Sequence, residues 1–215
     1  MDSFNDLMNM GIHAYALHQH DDHIRSKLDR PQMIYFGSRD DTLYGIELEI
    51  EFINADQIKS CIDEIIKMEF GNMCYFTNDE TLNEYGIEIV TFPMTLEIQL
   101  IFWDAVLKIL KNNGANISER TGTHIHITKS ENPKCNKNML EYIYDIKNRE
   151  ILHTIANRHD TTYCSYDISD KKGGVAYITN LGTIEIRMFN ATLDYDIMCS
   201  YIMFVKSLVD KFYCS

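Results

Sequence analysis

Seven polar side chains set into four apolar stretches could do chemistry in this sequence. Glu47 and Glu49 lie in GIELEIEF (residues 45–52), Glu88 in GIEIVT (86–91), His124 and His126 in GTHIHIT (122–128), and Glu185 and Arg187 in GTIEIRMF (182–189). Carboxylate oxygens with an imidazole among them suit a hard divalent cation, Mg²⁺ or Mn²⁺, better than a thiolate-seeking metal. Arg187 shares a strand face with Glu185, where its planar fork can hold a phosphate or carboxylate oxygen while the neighbouring carboxylate holds a metal. A divalent cation beside a guanidinium is the equipment of phosphoryl transfer, in which positioning and charge neutralisation do most of the catalysis.

Each motif alone has a plainer reading. Glutamates alternating with isoleucines line the wet side of a half-exposed sheet, two histidines on a strand can be hydrogen-bonded to neighbours, and an ExR strand can be a local ion pair of small energetic worth. Joint occurrence favours the chemical reading, because all four stretches open on a glycine and carry their polar residues in the same alternation.

The elements that must position these groups follow from the same alternation. In a strand, successive side chains point to opposite faces, so Ile46, Leu48, Ile50 and Phe52 go one way and Glu47, Glu49 and Glu51 the other. Like charges two residues apart repel unless solvent, a cation or a basic ligand offsets the cost. The four strands are therefore expected in one sheet, with a helix-covered face and an open face carrying Glu, His and Arg.

Between them, Asp56 is expected to cap a helix through Ile58, Cys61, Ile62, Ile65 and Ile66 that Gly71 ends. Residues 73–77 read as a short strand and 78–84 as a polar turn. Thr95 caps a second helix with a stripe of Leu96, Leu100, Trp103, Leu107 and Leu110, an Asp104 to Lys108 pair, and a stop at Asn113-Gly114. After Pro133 closes the HxH strand, residues 136–157 are helical through Leu140, Ile143, Ile146 and Ile151, with a break near Asn148. Residues 158–174 form a long polar loop containing Lys171 and Lys172, followed by strands at 175–179 and 182–189 joined by a hairpin. A last helix covers residues 194–212 through Met198, Tyr201, Ile202, Val205, Leu208, Val209 and Phe212. Strands on short turns with long helices between some of them indicate an α+β class, its antiparallel or mixed sheet covered on one face only.

Composition sets the outer bounds. At 215 residues, 45% of them hydrophobic and 24% charged, the chain has the makings of one globular core. A net charge of −12 argues against DNA binding through the overall field. The six cysteines show no CxxC spacing, and no apolar run approaches bilayer length, so a cytoplasmic protein without membrane attachment is expected. Residues 1–40, with His13, His18, His20 and His23, read as an N-terminal extension whose spacing matches no closed zinc pattern, and residues 41–215 as the catalytic domain.

The ordered set GIELEIEF, NDETLNEYGIEIVTFP, GTHIHIT, NRHDTTYC and YITNLGTIEIRMF resembles the amidoligase family of the carboxylate-amine ligase superfamily, relatives of glutamine synthetase and glutamate-cysteine ligase. The likeness covers residues 45–189. It implies a glutamine synthetase/glutamate-cysteine ligase-like sheet and an ATP- and Mg²⁺-dependent (or Mn²⁺-dependent) ligase that joins a carboxylate to an amine through an acyl phosphate. The substrates would be amino acids, peptides or protein side chains. The resemblance makes Glu47, Glu49, Glu88, His126 and Glu185 metal ligands. It gives His124 and Arg187 to the nucleotide and makes Arg187 and Glu88 catalytic; which histidine ligates stays open. Lys172, with Lys171, could reach the nucleotide phosphates from the 158–174 loop, a solvated lysine pair being the plainer reading. Thr81 stands where the family usually has serine. Two other readings compete: an inactive ligase-fold binding or inhibitor protein that engages a macromolecule, and a metal-dependent hydrolase.

Overall fold

The computed structural model describes residues 24–25, 35–37, 42–79, 81–159, 164–167, 173–180 and 182–213. Over these residues the architecture is mixed α+β. Its sheet contains β1 (Ile24–Arg25), β2 (Tyr44–Glu51), β3 (Cys74–Thr77), β4 (Gly86–Thr91), β5 (Gly122–Thr128), β6 (Ala176–Ile178) and β7 (Thr183–Asn190), in the spatial order β1-β3-β4-β2-β5-β7-β6. The six strands from β3 to β6 in that order are mutually antiparallel, and the two residues of β1 run parallel to β3. The helices are α1 (Ala55–Lys67), α2 (Leu96–Asn112), α3 (Pro133–Tyr144), α4 (Arg149–Ala156) and α5 (Tyr195–Tyr213).

Register turns the alternation into two chemically distinct faces. Ile46 lies opposite Ile125, Leu48 opposite Ile89, Ile50 opposite Ile87, and Ile125 and Ile127 opposite Ile186 and Ile184. A one-residue slip of any of these strands would send its isoleucines to the other face, so burial of this layer fixes the register. All of these residues are buried, together with Phe102, Trp103 and Val106 of α2 and Met198, Tyr201 and Ile202 of α5. Gln99 is a polar residue set into this layer. Gln99 on α2 donates from Nε2 to the Tyr44 carbonyl at 2.6 Å and to Thr91 Oγ1 at 2.9 Å, and accepts from Trp103 Nε1 at 3.0 Å.

Several local expectations are corrected. Asn54, not Asp56, caps α1, accepting from the Gln57 amide, and the helix ends at Lys67 before Gly71 opens a 3₁₀ turn. Ile66, Ile146 and Ile151 are exposed, since each falls just outside the buried arc of its segment. The buried face of α2 is broader than the expected stripe and centres on Ile98, Gln99, Phe102, Trp103, Val106, Leu107 and Leu110, with Leu96 and Leu100 only partly covered. Thr95 holds the cap position without a side-chain bond. Pro133 starts α3 rather than merely ending β5, and the break near Asn148 separates α3 from α4. Asp104 pairs with Lys108 at 2.8 Å as expected.

Two described pieces of the first forty residues join the sheet and its surroundings: β1 pairs with Phe76 and Thr77, and Phe36 is buried and bridges to Met94. His13, His18, His20, His23, Lys171 and Lys172 lie outside the described residues. At the far edge, β6 is three residues long, and the Ala176 backbone groups left over from its pairing with β7 meet the Tyr144 hydroxyl. That hydroxyl donates to the Ala176 carbonyl at 2.7 Å and accepts from its amide at 3.4 Å. Among the described residues no helix is long and apolar enough to cross a membrane.

Candidate metal centre on the polar face of the sheet

The same register that layers the isoleucines gathers the polar groups. Glu47 on the central strand β2 lies opposite His124 of β5, Glu49 lies opposite Glu88 of β4, and His126 lies opposite Glu185 of β7. The expected residues thus arrive from four adjacent strands. Glu49, Glu88, His124 and Glu185 are all buried, so this face is not the simple wet side of a sheet. A buried carboxylate is costly unless it is paired or bound to a cation.

Glu47 sits between the two histidines. Its Oε1 is 3.1 Å from His126 Nε2 and its Oε2 3.3 Å from His124 Nδ1. Glu185 reaches both rings at 3.8 Å and accepts from Arg187 Nη1 at 3.1 Å. Glu49 Oε2 accepts the Gly122 amide at 2.7 Å, while its other oxygen is 3.9 Å from His124 Nε2. Glu51, the third acid of the β2 row, accepts the Asn83 amide at 3.0 Å and so braces a turn.

These environments drive the acids apart. Burial alone would raise the Glu47 carboxyl, but the charge of His126 and hydrogen bonds from both histidines outweigh it and hold the group well below the usual carboxylate range. Glu49 goes the other way: burial raises it, the nearby Asp79 charge adds to the rise, and His124, the Gly122 amide and Arg187 offset only part of it. Burial disfavours the Arg187 cation, yet Glu185 and the neighbouring Tyr177 keep its pKa above the normal value.

Among the described residues, three groups of donors converge closely enough to hold a metal ion. They are Glu47, His126 and Glu185; then Glu47, Glu88 and His124; then Glu49, Asp79 and Glu88, with the donor atoms of each group within 4.8 Å of one another. Two ligands on one Mg²⁺ at about 2.1 Å each stand roughly 3–4 Å apart, so small rotamer adjustments suffice to close each group. The groups form a row, since Glu47 belongs to the first and second and Glu88 to the second and third. Oxygen predominates, as hard cations require, and one imidazole in each of two groups is well suited to Mn²⁺. Both histidines therefore fall in metal-capable groups, in different ones.

Three residues were not anticipated from the sequence. Asp79 comes from the turn after β3, and the amide and hydroxyl of Thr81 both donate to its Oδ1 at 2.8 Å. Arg158, just beyond α4, is buried and donates to the Phe189 carbonyl at 3.3 Å. Its Nη1 and the nearest atoms of Glu49 and His124 lie 2.7, 3.3 and 3.3 Å from where a Cβ on Gly122 would stand, so a side chain there would displace the Arg158 guanidinium and crowd both neighbours. Tyr177 of β6 faces Glu185 and hydrogen-bonds with it and with Arg187; burial and that carboxylate push its hydroxyl up to about 12. The only advance signals were an acid beside a hydroxyl in a turn, an arginine after a helix, and a tyrosine in alternation with Val175.

Comparison of the chain with protein-family models returns no match, and no curated protein shows significant similarity to it.

Proposed function

We propose that the polar face is the catalytic centre of an ATP-dependent carboxylate-amine ligase, on a sheet of the glutamine synthetase/glutamate-cysteine ligase kind. The observation that carries this reading is the row of three metal-capable groups joined through Glu47 and Glu88, with the Arg187 guanidinium at its flank. Bound Mg²⁺ or Mn²⁺ would neutralise phosphate charge and polarise the γ-phosphoryl group. Glu47, Glu49, Glu88, Glu185, Asp79 and one or both histidines would hold those ions. Arg187, fixed through Glu185 and Tyr177, would bind the non-bridging oxygens of the phosphoryl group as it moves. In the first half-reaction a substrate carboxylate oxygen bonds to the γ-phosphorus as the bond to ADP breaks. In the second, the amine nitrogen bonds to the acyl carbon, inorganic phosphate leaves, and the nitrogen loses a proton.

The acyl-phosphate step can be tested without knowing the amine. ATP carrying ¹⁸O in its β,γ-bridge is incubated with protein, Mg²⁺ and pooled amino acids and peptides as carboxylates. Scrambling of the label that needs both metal and carboxylate is expected, and Glu185→Gln should abolish it. Absence of any Mg²⁺-dependent nucleotide binding at millimolar concentration would sink the ligase reading.

A further inference from the structure

The polar face of the sheet changes its chemistry from one line of paired residues to the next. Glu88 lies between Glu49 and Thr77, so that line stays polar from β2 to β3. On the next line Glu47 faces His124 on one side and Val90 on the other, and Val90 faces Tyr75. Carboxylate thus gives way to valine and tyrosine within one strand spacing, about 4.8 Å. On the third line Glu185 faces His126 and His126 faces Gly45, where alternation calls for a side chain and glycine leaves none.

The space so left is a cavity of about 350 Å³, within the roughly 300–1,000 Å³ of small-ligand sites. Leu43, Val90, Pro93 and the tyrosines Tyr35 and Tyr75 contribute to its wall, and the buried Tyr75 ring is braced by Phe92 at 5.6 Å between centroids. Glu47 and His126, two of the three donors in the first metal-capable group, are on the same lining. Three lining hydroxyls are engaged by the protein itself. Thr91 Oγ1 accepts from the Ile46 amide at 2.8 Å, Thr128 Oγ1 donates to the Leu43 carbonyl at 3.5 Å, and Thr183 Oγ1 lies 2.8 Å from Thr179 Oγ1. Among the described residues the lining carries no lysine or arginine, although the exposed Lys129 approaches Gly182, which does line it.

Two physical constraints then fix what kind of ligand fits. A hard cation held by Glu47, His126 and Glu185 accepts an oxygen as its next ligand and repels an ammonium, so the end of the ligand facing those donors is a carboxylate. At the other end, a second carboxylate would lose its water beside valine, leucine and proline carbons, whereas an apolar chain or ring gains by the same burial.

We infer that this cavity selects the acid substrate, and that the acid is a monocarboxylate with a bulky apolar or aromatic tail. Its carboxylate meets the Glu47, His126 and Glu185 donors, and its tail fills the Gly45 space against Val90 and Tyr75. The inference rests on the ligase reading and narrows it to a class of acid.

The test is calorimetric titration of the full chain with phenylpropionate, acetate, glutarate and phenylethylamine, in Mg²⁺ with and without the non-hydrolysable ATP analogue AMP-PNP. With the analogue present, phenylpropionate should bind at least about tenfold tighter than acetate or glutarate, a factor that burying a ring supplies. Phenylethylamine should bind no better than acetate. A Cβ at Gly45 meets only ordinary contacts, 3.6 Å to His126 Cβ and 3.7 Å to the Thr91 carbonyl, so leucine there extends into the cavity. Gly45→Leu should abolish the advantage of the ring while the rise in Tm given by Mg²⁺, which reports an intact fold, persists; a variant that keeps both overturns the assignment. Acetate matching phenylpropionate overturns it too, and glutarate doing so gives the cavity to a diacid held through Lys129. Phenylethylamine binding as tightly as the acid gives it to the amine substrate, and a tenfold loss of acid affinity on adding AMP-PNP gives it to the nucleotide base. All of these overturn the assignment and leave the ligase reading standing. Failure of AMP-PNP itself to bind in Mg²⁺ overturns the ligase reading, and the assignment of the acid with it.

Discussion

Glu47 and Glu49 are two residues apart on one strand, yet their surroundings push them in opposite directions. The folded state holds the Glu49 proton more tightly than the unfolded chain does. Its contribution to stability is therefore complete below the ordinary carboxylate value of 4.5 and is lost as pH rises through its elevated pKa. Glu47 has a depressed pKa, so its contribution is present above 4.5 and disappears as pH falls through that lower value. At neutral pH without divalent ions, an ionised Glu49 works against the fold. Glu49→Gln keeps an oxygen to accept the Gly122 amide and removes the charge; melting of chelator-treated protein should show Tm raised by roughly 2–4 °C, about 1 kcal/mol in a domain of this size. Glu47→Gln should lower it, because the carboxylate that both histidine rings contact at 3.1 and 3.3 Å is lost. Both variants should lose the stabilisation that Mg²⁺ gives the wild type, and a Glu49→Gln protein that melts below wild type in chelator would contradict the assignment.

At the scale of elements, α2 is tied to the sheet by an amide as well as by apolar contact. Gln99 is buried between Trp103, Thr91 and the Tyr44 carbonyl, and the strand it grips carries Glu47 three residues further on. Replacing it with leucine strands the indole N–H, at a cost of about 1–3 kcal/mol, and takes one of two partners from the Tyr44 carbonyl, which keeps the Met94 amide at 2.9 Å. Denaturant melts of Gln99→Leu should show a lower midpoint with an unchanged m-value, and Mg²⁺ should recover only part of the loss. The four strands themselves are legible in the sequence to within one residue, because a period of two with β-branched residues on one side has no competing helical interpretation. Helix faces are less so: Ile66 directly follows the buried Ile65, and one step around the helix carries it to solvent. Register is not written in any single strand, and the irregularity of β5 against β7 between Thr123 and Ile125 has no glycine or proline to announce it. Asp79, Arg158 and Tyr177 reach the centre from a turn, a helix end and an edge strand, so only tertiary placement reveals them.

For the whole molecule, the net charge of −12 is concentrated to effect at one place. Glu47, Glu49, Glu88, Glu185 and Asp79 face two guanidiniums and two imidazoles in a partly desolvated setting, where surrounding salt screens little. Divalent cations should therefore act as a structural component of the domain as well as a reagent. A cation present at a hundred times its Kd stabilises by about 2.7 kcal/mol, which corresponds to a Tm rise of roughly 5–10 °C here. Calorimetric scans in Mg²⁺ and in Na⁺ at matched ionic strength should differ by that order, and equal Tm values would show that the acids are satisfied without divalent ions.

The hydroxyl of Tyr144 gives the last strand a further property. An extended segment from another chain that paired with this strand at Ala176 would have to claim the amide and carbonyl that Tyr144 already occupies there. One aromatic side chain thus plugs both sockets that a templating polypeptide needs first, and the domain is guarded on that flank against fibril-like growth by a single oxygen atom.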